Sequence, residues 1–148
     1  MSNFITITDF TPDRFTPTKW DTADKKAAFA KQFIKFVQSD FARSKFPKAF
    51  YQRLSMTFGH IAHFNQHSFF ETFFSTIEGK VRFLRMTLAH PCYGDPAWTY
   101  SDVERALQTW LRENDVLARY EDRLAEETEA AERAVLARLQ AKYGVGPA

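Results

Sequence analysis

Phenylalanine at helical spacing is the feature that most limits what this chain can fold into. Sixteen of its 148 residues are Phe. Successive helical residues turn by about 100°, so with Phe29 at zero Phe33 falls at about 40°, Val37 at about 80°, Phe41 at about 120° and Ile34 at about 140°. Lys31, Lys35 and Gln32 fall on the other side of the same wheel, between about 200° and about 300°. This is one apolar stripe backed by a basic face, the pattern of an amphipathic helix packed on a core. Asp21 or Thr22 can cap its first amides, and the helix is predicted to run to about Ala42. Pro47 fits the first turn of a second helix, where its missing N–H costs nothing.

The next stretch, 48–90, cannot be one straight helix. With His60 at zero, Phe50, Ile61, Leu54 and Phe58 fall between about 80° and about 160°, whereas Phe69, Phe73, Ile77, Phe70 and Phe74 fall between about 180° and about 320°. A straight rod cannot bury both stripes, so the chain must break near Phe64-Asn65-Gln66-His67. Ser68 with Glu71 has the capping-box spacing, as do Ser75 with Glu78 and Ser101 with Glu104. Helices are therefore expected to start near Ser68, near Thr76 and near Ser101. His90-Pro91-Cys92-Tyr93-Gly94-Asp95-Pro96 is the clearest loop.

From Ser101 strong helix formers continue to about Tyr143, where Gly144 stops them. Unbroken, such a helix would span about 63 Å, far more than a domain of this length. Either it breaks near Asn114-Asp115 or its end projects. Val103, Trp110, Leu117, Leu124 and Ala131 recur every seventh residue, but the complementary row of Asn114, Glu121 and Thr128 is polar, a poor two-stranded seam. Large apolar residues return at Val135, Leu136, Leu139 and Tyr143. That second cluster needs a surface to pack on, either the core or another chain.

The expected fold is all-α: one domain over 1–148, a compact bundle of about five helices. It divides into an extended arm (1–20, with strand-like alternation over 4–10), a Phe-rich helical core (21–90), an aromatic loop (91–100) and a long or broken C-terminal helix (101–143). Leu, Ile, Val and Phe make up about a quarter of the chain, above the range where disorder is expected. A single Cys excludes an intrachain disulfide and a zinc site built on several thiolates. No apolar run approaches the length of a membrane span, and residues 1–6 lack the basic start and apolar core of a signal peptide, so a cytoplasmic location is expected.

Chemistry-bearing patterns are few. No Walker, GxGxxG, GxSxG, HExxH or EF-hand motif occurs, so the reading leans away from catalysis and implies no cofactor. His60, His63, His67 and Glu71 share one helical stripe, and imidazole with carboxylate is a metal-ligand set. A straight helix would spread them over about 16 Å, and the break divides them, which leaves His63 and His67 with Glu71 as the surviving metal candidate for a metal-dependent enzyme. Cys92 sits two residues from His90, but sequence neighbours rarely form a working thiolate–imidazole dyad.

Net charge is +2, unevenly spread: residues 19–48 carry eight basic and three acidic groups, residues 101–148 seven basic and ten acidic. Lys31, Lys35, Lys45 and Lys48, joined by Arg82 and Arg85 if the fold gathers them, are the candidate phosphate contacts for a nucleic-acid partner. The Phe-Phe-x-x-Phe-Phe run at Phe69–Phe74 has core spacing rather than the layout of a base-stacking platform. Tyr93, Trp98 and Tyr100 lie on a loop, where rings can face a partner or fold back as a lid. The leading expectation is a small interaction or regulatory protein. It would bind a protein or nucleoprotein through Tyr93, Trp98 and Tyr100 and through Leu136 and Leu139 of the C-terminal helix, which could also mediate self-association.

Overall fold

The computed structural model describes residues 10–58, 65–90 and 94–144. Among these residues the fold is all-α, with six α-helices and no strand: α1 (Ala23–Gln38), α2 (Lys48–Thr57), α3 (Gln66–Phe73), α4 (Ile77–Ala89), α5 (Ser101–Glu113) and α6 (Val116–Tyr143). Short 3-10 turns at Pro12–Arg14 and Arg43–Lys45 complete the set. The strand-like stretch expected over residues 4–10 lies outside the described residues except for Phe10.

The phenylalanines converge as their spacing requires. Phe29, Phe33, Phe36 and Val37 of α1 are buried in one cluster with Phe41, Phe46, Phe50, Leu54, Phe69, Phe74 and Phe83. The Phe36 ring lies between 5.0 and 5.3 Å, centroid to centroid, from the rings of Phe41, Phe46, Phe50 and Phe74. Each such pair adds about 0.5–1.5 kcal/mol beyond area burial. α5 packs on α1, α2 and α4, and α6 crosses α4. Phe10 and Phe15 stack on one another and are buried, so the described part of the arm lies against the core.

Helix boundaries differ from expectation where side chains compete for the caps. α1 stops at Gln38, about four residues early. Asp40 and Phe41 both take left-handed backbone, with φ of 61° and 57°. The Phe41 N–H reaches the Phe36 carbonyl and the Asp40 N–H the Val37 carbonyl, closing a Schellman motif in which Asp stands where Gly is usual. Burial of the Phe41 ring and the bonds to the Asp40 carboxylate hold this conformation against its cost. α3 begins after the expected break, but Asn65 is its cap and Ser68 completes the box. Thr76, not Ser75, caps α4 by accepting from the Gly79 N–H. At α5 the N-cap residue Tyr100 offers no side-chain cap; Thr99 Oγ1 accepts from the Ser101 N–H at 3.2 Å, while Ser101 Oγ bonds the Gly94 carbonyl and Glu104 turns inward to His90.

The C-terminal helix is both broken and projecting. Asp115, at φ 51°, separates α5 from α6. Buried Asn114 ties the break down by donating to the Trp110 carbonyl at 2.9 Å. The first turns of α6 are fixed by Asp40: Tyr120 donates to its carboxylate at 2.5 Å, Arg123 at 2.8 and 3.3 Å, and Lys80 Nζ lies 3.4 Å away. Burial raises the Asp40 carboxyl, but its hydrogen bonds to Arg123 and Tyr120 and the nearby cations outweigh that and hold it below the ordinary value. Beyond Leu124 every described residue is exposed apart from Gln140. No helix among the described residues is long and apolar enough to cross a membrane.

Candidate partner-binding site

A buried lysine builds this site. Lys26 falls on the helical wheel between Phe33 and Val37, so the helix drives it into the apolar face. It is fully buried, and its ammonium donates to the Pro96 carbonyl at 2.8 Å, the Thr99 carbonyl at 2.9 Å and the Asp102 carboxylate at 2.9 Å. All three protons are thereby used. The other Asp102 oxygen accepts from the Thr16 N–H at 2.9 Å. One charge pair thus ties the arm, α1, the aromatic loop and the start of α5 together.

The loop is also closed within itself. The Asp95 carbonyl accepts from the Trp98 and Thr99 N–H groups at 2.8 and 2.9 Å, and the Asp95 carboxylate accepts from the Ala97 N–H. Gly94 has φ of 98°, and a Cβ there would lie 2.8 Å from the Thr99 methyl, so this turn requires glycine. Opposite it, Thr18 Oγ1 accepts from the Trp20 and Asp21 N–H groups at 3.1 and 2.9 Å.

These two turns present Trp98 and Trp20 edge to face, with ring centroids 6.0 Å apart. Trp20 is 65% exposed, Trp98 59% and Met56 55%. With Thr18, Thr99 and Tyr100 they line a pocket of about 290 Å³. That is smaller than a usual small-molecule site and suits one inserted side chain.

The pocket floor is polar but internally neutralised. The Asp21 carboxylate is 2.7 Å from Arg53 Nη1 and accepts from the Tyr100 hydroxyl at 3.0 Å. Burial works to raise the Asp21 carboxyl, yet the bonds from Arg53 and Tyr100 and the Arg53 and Lys25 charges prevail and hold it low. Burial, helped by the hydrogen bond to Asp21 and by that carboxylate's charge, pushes the Tyr100 hydroxyl up to about 12. The walls are apolar, and the carboxylate is already matched by a cation, so the pocket favours an apolar or aromatic knob.

Of the residues expected from sequence to meet a partner, Trp98 is on the exposed face. Tyr100 is not: it is 4% exposed, its ring sits edge-on to Phe29, and it folds back as a lid. Tyr93, His60, His63 and Cys92 lie outside the described residues. Leu136 and Leu139 are exposed on the free part of α6. His67 is exposed, and Glu71 is paired with Arg43. Among the described residues no group of three His, Cys, Asp or Glu side chains could hold a metal. Lys31, Lys35, Lys45 and Lys48 are exposed. Arg82 and Arg85 are already occupied: Arg82 packs over Phe73 and bonds the Thr72 carbonyl, and Arg85 pairs with Glu121 at 2.7 Å.

Sequence reasoning missed Trp20, Met56, Asp21, Arg53 and Lys26. A lysine on an apolar stripe is the available signal for Lys26. Trp20 and Met56 carry none, since long-range folding alone brings them to Trp98.

No protein-family model matches this chain, and neither does any curated protein or solved structure.

Proposed function

We propose that this chain is an interaction module that binds a protein partner through Trp20, Trp98 and Met56. One observation supports the reading above the others: two tryptophans are held exposed on turns that a buried ion pair fixes in place. Exposed rings add little to the stability of their own fold, because their area stays in water. Held rigid, they bind a partner at small conformational cost. Trp, Met and Arg are also the residues enriched where interfaces bury most of their energy.

The test is a comparison of wild type with the Trp20→Ala/Trp98→Ala pair. Both rings are exposed, so the variant keeps the thermal stability of the wild type to within about 1 kcal/mol. A protein captured from host lysate is then purified and titrated by calorimetry. The reading expects the double variant to weaken that binary affinity at least about a hundredfold. Equal affinity in the two proteins, or a large stability loss in the variant, removes the Trp face as the docking site.

A second reading, contact with a nucleic-acid backbone, has support in the four exposed lysines Lys31, Lys35, Lys45 and Lys48, none of them in an ion pair among the described residues. Its mark is affinity that falls steeply with salt and disappears on Lys31→Glu with Lys35→Glu.

A further inference from the structure

The last turns of α6 carry an apolar face that no described residue covers. About 28 Å of helix, Ala125 to Tyr143, extends past Leu124 with its residues exposed apart from Gln140. Val135, Leu136, Leu139 and Tyr143 are 43, 56, 42 and 65% exposed. Ala131, Val135 and Leu139 lie within about 40° of Leu117 around the helix axis. Leu117 and Leu124, nearer the bundle on this same face, pack against the core. The core-facing stripe therefore continues past the end of its support.

Charge along the helix is polarised. From Glu121 to Glu132 there are six acidic residues and one Arg; from Arg133 to Tyr143 there are Arg133, Arg138 and Lys142 and no acid. Some of these are satisfied locally, Glu121 by Arg85 and Arg133 by Glu129. Glu126, Glu127, Glu132 and Arg138 have no ion-pair partner among the described residues. Where α6 leaves α4 there is a groove of about 530 Å³, with an apolar floor of Leu124, Ala131 and Val135 and an acidic rim of Glu78, Glu127 and Glu132.

We propose that the groove is filled by the last turns of α6 from a second copy of this chain, the two helices running antiparallel. The groove asks for a basic, apolar helical segment, and residues 138–143 are one. A crossing centred between Ala131 and Val135 brings Tyr143 of the second copy to the level of Leu124, and Arg138 opposite Glu127. Two-fold symmetry makes the same contact twice. A parallel pair would instead set acid on acid and base on base. The dimer does not depend on the Trp20/Trp98 face, which lies elsewhere on the fold.

Sedimentation equilibrium from about 5 to about 200 µM protein tests this. Wild type is expected to be dimeric at the upper end. Arg138→Glu/Lys142→Glu and Glu127→Lys/Glu132→Lys should each weaken dimerisation at least about tenfold. All four positions are exposed on the free helix, so neither variant should shift the unfolding midpoint of the bundle. Mixing the two variants should restore a dimer, because each supplies the charge the other now complements. A wild type that stays monomeric throughout, a dimer indifferent to both charge reversals, or a mixture that fails to associate would each overturn the proposal.

Discussion

Replacing Lys26 with Met isolates the contribution of the buried charge. Met keeps the length and apolar stem of the side chain and removes only the ammonium. Three charge-assisted hydrogen bonds vanish, and the Pro96 and Thr99 carbonyls lose their donor. Asp102 keeps the Thr16 N–H and its own Val103 N–H, but no cation. Removing one partner of a buried ion pair costs about 3–5 kcal/mol. The Asp102 side chain is 14% exposed, so water reaches it and the lower end applies, about 3 kcal/mol. For a domain of this size that lowers the melting temperature by roughly 6–12 °C. Urea unfolding of Lys26→Met, Asp102→Asn and the double variant measures the effect and the coupling. The double variant should recover about 1–2 kcal/mol, since it no longer strands a carboxylate. A loss below about 1 kcal/mol in Lys26→Met would refute the claim that this ion pair fixes the loop. Below the unfolding transition, acrylamide quenching of tryptophan should also rise in Lys26→Met, because Trp98 is no longer held on a pinned turn.

The remaining expectations probe close packing, an orphaned hydroxyl and ionisation. Gly79→Ala places a Cβ 2.7 Å from the Thr72 carbonyl oxygen and 2.9 Å from that of Phe73, so despite better helix propensity it should cost about 1–3 kcal/mol in urea unfolding. Thr87 is fully buried, and its Oγ1 has no partner among the described residues, so Thr87→Val should stabilise by about 1 kcal/mol, seen as a higher urea midpoint at unchanged slope. The Tyr100 hydroxyl, at about 12 when folded, keeps a proton that the unfolded chain releases near pH 10, so its contribution is whole below about pH 10 and is lost as pH rises toward 12. Tyr100→Phe should flatten that decline, and a slope unchanged by the substitution would contradict the assignment. Asp21 and Asp40 are held low when folded, so their contributions are present above about pH 4 and are lost as pH falls through their folded values; Asp40→Asn should blunt the acid transition.

The parts of this fold that were legible were those set by periodicity. The phase jump between the stripes of Leu54 and Phe73 required a break between α2 and α3, because a straight helix has only one buried side; the break it placed adjoins the start of α3 at Gln66 but not the end of α2, which comes earlier, at Thr57. The stop of the last helix at Gly144 followed from a residue that takes left-handed backbone without cost. What periodicity missed were positions where a side chain far away in sequence decides the backbone. Asp40 ends α1 in a conformation usually given to Gly because Tyr120, Arg123 and Lys80 gather on its carboxylate, and each is about 40 or more residues away. Tyr100 was equally open to facing a partner or the core. Asp21 and Arg53 decide it by binding its hydroxyl inside, and neither bond is visible along the chain.

The two exposed surfaces differ in what holds them. Trp20 and Trp98 stand on turns closed by backbone hydrogen bonds and by Lys26, so their geometry is set before any partner arrives. The stripe on α6 has no such support past Leu124. Its helix rests on Ala-, Glu-, Arg- and Leu-rich propensity and on local pairs such as Glu129 with Arg133, which contribute only about 0.2–0.5 kcal/mol each. A rigid knob-accepting pocket and a free, charge-polarised helix suit different tasks: the first selects a side chain, the second offers a face for another helix to cover. Asp40 connects these properties to the fold. Through Tyr120 and Arg123 it fixes the direction in which α6 leaves the bundle, so the free segment departs from a defined base beside Thr76 and Glu78 rather than from a hinge. That fixed departure is what allows a groove at the base of one helix to receive the tip of another.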